Sequence, residues 1–92
     1  MTGFVFHPGH HEWHGITVVV ETTGDVTYVA RFDTQDERGV HLLNVAEHNA
    51  SSPQSVEEFL ARIRKFGVKA TRKHLVVPED AILQIRKLAD LD

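Results

Sequence analysis

Gly15-Ile16-Thr17-Val18-Val19-Val20-Glu21, Thr22-Thr23-Gly24-Asp25 and Val26-Thr27-Tyr28-Val29-Ala30-Arg31-Phe32 follow one another without interruption. The first run is rich in β-branched residues, which crowd a helix and suit a pleated surface, so it predicts a strand. Gly24 within the polar four-residue segment supplies a turn, because glycine takes positive φ at little steric cost. In the second run Val26, Tyr28, Ala30 and Phe32 share one parity, and Thr27, Val29 and Arg31 share the other. That alternation predicts a strand with one core face and one half-exposed face.

The same logic extends outward. Asp33 to Gly39 is polar and acidic and ends in glycine, which predicts a longer turn, and Val40 to Ala46 reads as a third strand completing an antiparallel meander. Asn49-Ala50-Ser51-Ser52-Pro53 is a loop. Ser55 followed three residues later by Glu58 forms a capping box, and Phe59, Ile63 and Phe66 then recur at spacings of four and three with Leu60 beside them. An amphipathic helix over residues 56–66 follows, ended by Gly67. Arg72 to Val77 reads as a fourth strand, stopped by Pro78, which lacks a ladder donor. Residues 82–88 admit two readings. Ile82, Ile85 and Leu88 are spaced as in a helix, whereas the short Pro78-Glu79-Asp80-Ala81 connector leads into a final strand across the open edge of the meander. The strand over 82–86 is preferred.

Ninety-two residues supply one core and not two, and a chain of this size buries about 60 to 65% of its extended surface, so self-association would help it. The absence of cysteine excludes disulfides, thiolate metal sites and a thiol nucleophile. The N-terminal residues lack a basic segment followed by a long apolar run, and the apolar run within Ile16 to Val20 is too short to span a bilayer. A cytoplasmic protein without a membrane segment is expected. The formal charge of −3 is unevenly spread: Arg31 and Arg38 are the only cations before Arg62, whereas Arg62, Arg64, Lys65, Lys69, Arg72 and Lys73 lie in a stretch without an acid. Two readings stand: cations that complement the helix dipole and keep the surface soluble, or a face for an anionic partner.

The order of elements resembles the Sm-like family. Gly15-x-x-Val18-x-Val20, Gly24, Tyr28, Phe32-Asp33 and Leu42-Leu43 look like its first motif, and Lys73-His74-Leu75-Val76-Val77-Pro78 like a loose second motif, its Lys-His pair similar to that of the bacterial RNA-chaperone branch. The likeness covers residues 15–48 and 72–86. Ala30 stands where the family commonly has glycine, the Arg-Gly of the second motif is absent, and a His-rich arm replaces the helix before the first strand. The fold expected is mainly β: a small, strongly bent, five-stranded antiparallel SH3-like or Sm-like barrel with one inserted helix. Residues 1–14 would be an N-terminal arm, 15–88 the barrel and 89–92 a tail. The resemblance implies single-stranded RNA bound by a homo-oligomeric ring, with Lys73 and His74 nearest the site. Arg72, Lys69, Lys65 and Arg62 would extend a phosphate track, each contact adding to the salt dependence of binding. Tyr28 and Trp13 are the stacking platforms expected outside the core.

His7, His10, His11 and His14 fall within eight residues, and imidazoles at such density suit zinc or nickel. His10 and His14 would face one way on a helical turn, but Pro8 and Gly9 weaken that helix. His11-Glu12-Trp13-His14 is one residue short of the His-Glu-x-x-His metalloprotease spacing. A titratable switch and ordinary solvated histidines are the other readings of the arm. Catalytic candidates are weaker. Asp33, Asp36 and Glu37 form an acidic knot in which Asp36 with Glu37 could help hold a divalent ion, and a solvated turn is the preferred reading. Ser51, Ser52 and Ser55 lack a glycine-framed elbow, and no phosphate-cradling loop exists. Phe32, Phe59 and Phe66 read as core. Three functional readings result: a non-catalytic, self-associating interaction module that docks on another protein, a ring-forming RNA binder, and a metal-binding protein built on the arm.

Overall fold

The computed structural model describes residues 13–91. Strands β1 (Thr17–Thr22), β2 (Val26–Asp36), β3 (Gly39–Asn49), β4 (Arg72–Val77) and β5 (Ile82–Lys87) form one antiparallel sheet in the order β4-β3-β2-β1-β5, and helix α1 (Val56–Phe66) is inserted between β3 and β4. The domain is therefore mainly β, with a five-stranded sheet and one helix.

The connectivity forces the sheet to curl. β4 and β5 are its two outermost strands, yet only Pro78 and a turn of 3-10 helix at Glu79–Ala81 join them. A flat sheet would hold its outer strands about 19 Å apart, four spacings of about 4.8 Å. A 3-10 turn rising about 2 Å per residue covers about half that distance. The curl closes around one core, in which Val18, Val20, Ala30, Phe32, Val40, Leu42, Val45, Val77, Ile82 and Ile85 are buried together, with all five strands contributing.

Three irregularities bend the strands. Between Val29 and Arg31 of β2, the paired residues of β3 run from Ala46 to Leu43, so β3 holds one residue more, and Asn44 there takes a left-handed φ of 53°. Between Phe32 and Thr34 the extra residue lies on β2. Between Glu21 and Thr22 of β1 it lies on β5, where Leu83 is pushed out to 56% exposure. Each extra residue reverses the inward parity beyond it and sharpens the twist. On β5 this brings Ile82 and Ile85 both into the core, so their spacing of three belongs to a bulged strand and not to a helix.

A second, smaller cluster forms on the outer face, where Val19, Val29 and Ala46 meet Ile63 of α1, with Phe59, Leu60, Val68, Leu88 and Leu91 packed around them. The helix starts as expected: the Ser55 hydroxyl accepts from the Glu58 amide at 3.1 Å, and the Glu58 carboxylate accepts from the Ser55 amide at 3.0 Å. Gly67 closes it with φ 89°, its backbone N–H donating a hydrogen bond to the Ile63 carbonyl.

Several boundaries differ from the sequence reading. The segment 33–39 is not a long turn: β2 continues to Asp36 and β3 begins at Gly39, leaving Glu37 and Arg38 as the turn. Polar residues suffice there because this hairpin extension is largely solvated. Phe66 is not core but 72% exposed, because α1 rests on the sheet through Ile63 and the last turn overhangs. Trp13 and Tyr28 are half-buried against the inner core, with Trp13 edge-on to Phe32 at 6.2 Å, so neither stands free of it. At the other end Leu88 and Leu91 pack on the outer cluster.

Candidate functional site

The six basic candidates divide between separate places. Arg62 and Lys69 line one groove with Phe59, Ile63 and Phe66, beneath the C-terminal half of α1. Lys65 is exposed on the same helix, its Nζ 5.4 Å from the centre of the Phe66 ring. Arg72 is engaged by Glu47, Nε to Oε1 at 2.9 Å. Lys73 and His74 are both exposed, but as neighbours on a strand they project to opposite faces of β4. Lys73 shares the parity of Leu75 and Val77 but is exposed. The positive stretch in the sequence is thus distributed over α1, the connector that follows it and two faces of β4.

Of the four arm histidines, His7, His10 and His11 lie outside the described residues. His14 is exposed, with its Nδ1 on the Asp33 backbone carbonyl and 3.5 Å from the Asp33 carboxylate. Among the described residues, no group of three or more His, Asp or Glu side chains is placed to hold a metal, and no helix is long and apolar enough to cross a membrane.

The register of β3 against β4 creates a constellation that the sequence conceals. His41 lies opposite Val76, and His74 lies opposite Leu43, so the two imidazoles are diagonal neighbours on the outer face. Their rings stand 5.4 Å apart at 31°, with His41 Nδ1 3.3 Å from His74 Nε2. At its far end His41 Nε2 meets Asp36 Oδ2 at 2.9 Å. An ionised carboxylate only accepts, so His41 Nε2–H donates to Asp36, and in the neutral ring this leaves the lone pair at Nδ1, on the side of His74. The His41 side chain is 12% exposed and Asp36 is 46% exposed. Hydrogen bonds from His41 and then from the Arg38 amide hold the Asp36 carboxyl below its ordinary pKa. The row therefore runs Asp36, His41, His74 from the β2–β3 turn to the edge strand. Nothing in sequence spacing announces it, because positions 36, 41 and 74 meet only through strand register.

The sheet ends in two strands with one neighbour each among the described residues, β4 beside β3 and β5 beside β1. The exposed apolar side chains Leu83 and Phe66 lie on β5 and α1. Strand edges of this kind offer backbone donors and acceptors to another chain.

No protein-family model and no curated protein matches this chain. Among solved structures, a chain in the crystal structure of the NatC complex bound to CoA is similar in fold. The match covers 88% of this chain and 86% of that one, with a TM-score of 0.57 and 18% sequence identity.

Proposed function

We propose that this domain is a non-catalytic interaction module that works by pairing its sheet edges with another chain, either a second copy or a different protein. The two edge strands carry the reading: a domain this small ends its sheet in β4 and β5, and the bulge that exposes Leu83 puts an apolar side chain on one of those edges. Addition of a strand from a partner satisfies the edge, and side-chain pockets give it specificity. The similar chain found in the NatC complex structure supports the reading, because it places a domain of this fold and length inside a multi-subunit assembly. Native mass spectrometry of untagged protein from its own cells tests it. A species carrying a second copy or a second protein chain, lost in the Leu83→Lys variant, is expected. A bare monomer overturns the reading.

A second reading is an Sm-like, ring-forming binder of single-stranded RNA. It is favoured by the exposure of both Lys73 and His74 at the start of β4, where the resemblance puts the RNA site. Here Arg72→Ala with Lys73→Ala weakens binding and reduces the salt slope by about two phosphate contacts. RNA affinity equal to the parent's at low salt sinks it.

A further inference from the structure

We infer that His41 and His74 form a binding site for a tetrahedral divalent cation of the zinc type, with Asp36 as the residue that positions it. The site differs from the His-rich arm and arises from strand register alone.

The spacing of the two nitrogens carries the argument. Zinc binds imidazole nitrogen at about 2.0–2.1 Å, so two such bonds at a tetrahedral angle hold their nitrogens about 3.3 Å apart. His41 Nδ1 and His74 Nε2 are separated by 3.3 Å. The separation is thus one that two nitrogens on a single tetrahedral ion also have, so the strands need not move.

The surroundings supply what such a site needs. The Asp36 carboxylate accepts a hydrogen bond from His41 Nε2–H, which in the neutral ring leaves Nδ1 as the lone pair and fixes the ring. A carboxylate behind a ligating histidine is the usual outer partner of a zinc site, orienting the ring and raising its basicity. His41, mostly buried on β3, is the fixed ligand. His74, exposed on the edge strand, has the freedom to turn so that both lone pairs meet at the ion. His74 would ligate through the Nε2 lone pair of its neutral ring, with the proton on Nδ1. Because no third His, Asp or Glu side chain among the described residues completes the set, the other two positions take water. They face outward, open to exchange.

The test uses the full-length chain with His7, His10, His11 and His14 all replaced by alanine, so that the arm contributes no ligands. Zinc chloride is titrated while two-dimensional nitrogen-15 spectra follow the imidazole nitrogens and thermal melting follows the fold. One ion per chain is expected, with large shifts at His41 Nδ1 and His74 Nε2 and little at His41 Nε2, and with a rise in melting temperature that magnesium does not produce. His74→Gln, at an exposed position, keeps the fold and lowers zinc affinity at least tenfold. Asp36→Asn weakens binding by about 10- to 100-fold while leaving both ligands present, and Asp36→Glu restores part of the loss. Unchanged affinity in His74→Gln, shifts confined to other residues, or absence of uptake in the arm-substituted chain each overturn the assignment.

Discussion

A side-chain carbon built on Gly39 would lie 2.2 Å from the carbonyl oxygen of Val77, across the ladder that joins β3 to β4. The contact is with backbone, so it is not relieved by turning a side chain. Gly39 also takes φ of 133°, a region closed to other residues. The glycine is thus required twice, by its own conformation and by the approach of the edge strand just before Pro78.

Gly39→Ala is therefore expected to be severe. Backbone strain alone is worth about 1–3 kcal/mol, and displacement of β4 adds to it. For a domain of this size a melting temperature lower by about 10 °C or more follows. A shift of only a few degrees in a thermal scan would mean that β4 can move away from β3 at little cost.

The helix gives a paired prediction. Ile63 is the only residue of α1 that is buried, and it fills the outer cluster against Val19, Val29 and Ala46. Ile63→Ala removes those contacts and leaves a cavity, at about 2–4 kcal/mol. Phe66→Ala, at a position 72% exposed, changes stability by about 0.5 kcal/mol or less. Urea titrations of both variants check the ranking. A larger loss for Phe66 would show that the last turn of α1 packs more tightly than its exposure indicates.

The capping box predicts a pH dependence. The Ser55 amide, and then the Ser55 hydroxyl, stabilise the ionised Glu58 carboxyl and hold its pKa below the ordinary glutamate value of 4.5. The unfolded chain therefore takes up this proton at a higher pH than the folded one. The carboxylate's contribution to stability is complete above 4.5 and is lost as the pH falls through the lower, folded-state value. Glu58→Gln should flatten this part of the acid limb in denaturation curves measured from neutral pH downward. An acid limb as steep as the parent's would assign the loss to other carboxylates. Independently, Ser55→Ala should cost about 1 kcal/mol at neutral pH.

Some features of the fold can be read from residues in sequence order. Ser55, Glu58 and Gly67 act on neighbours three or four positions away, so the helix and both its ends were legible locally. The meander was legible for the same reason, since parity within 16–32 needs no knowledge of the partner strand. Parity failed wherever a bulge intervened. Ile82 and Ile85 are both core residues because Leu83 is the extra one, and a strict period of two or of 3.6 describes neither. The polar stretch 33–36 gives no strand signal because its alternation carries no apolar residue, although the hairpin continues through it. The candidate site was the least legible part. Arg62 and Lys73 are near in sequence but sit on different elements, whereas Asp36, His41 and His74 are distant in sequence and meet through the β3–β4 register.

Arg86 and Glu21 provide the last prediction, in which two small effects oppose each other. Arg86 lies on β5 opposite Val19, and its guanidinium reaches diagonally to the Glu21 carboxylate on β1. The side chains are 40% and 33% exposed, so the ion pair is screened and worth about 0.2–1 kcal/mol. The Arg86 Nε, however, is buried with no hydrogen-bond partner among the described residues, and an unsatisfied buried donor costs about 1–3 kcal/mol. Methionine at this position keeps a long apolar stem over Val19 while removing both the charge and the orphan donor. Arg86→Met is thus expected to leave stability unchanged or raise it by about 1 kcal/mol, whereas Glu21→Gln, which leaves the guanidinium in place, should lower it slightly. Chemical denaturation of the two variants and of their double mutant separates the terms. A loss above about 1.5 kcal/mol in Arg86→Met would mean that the pair across β1 and β5 holds the edge strand in register, and that the donor at Nε is satisfied when the domain folds.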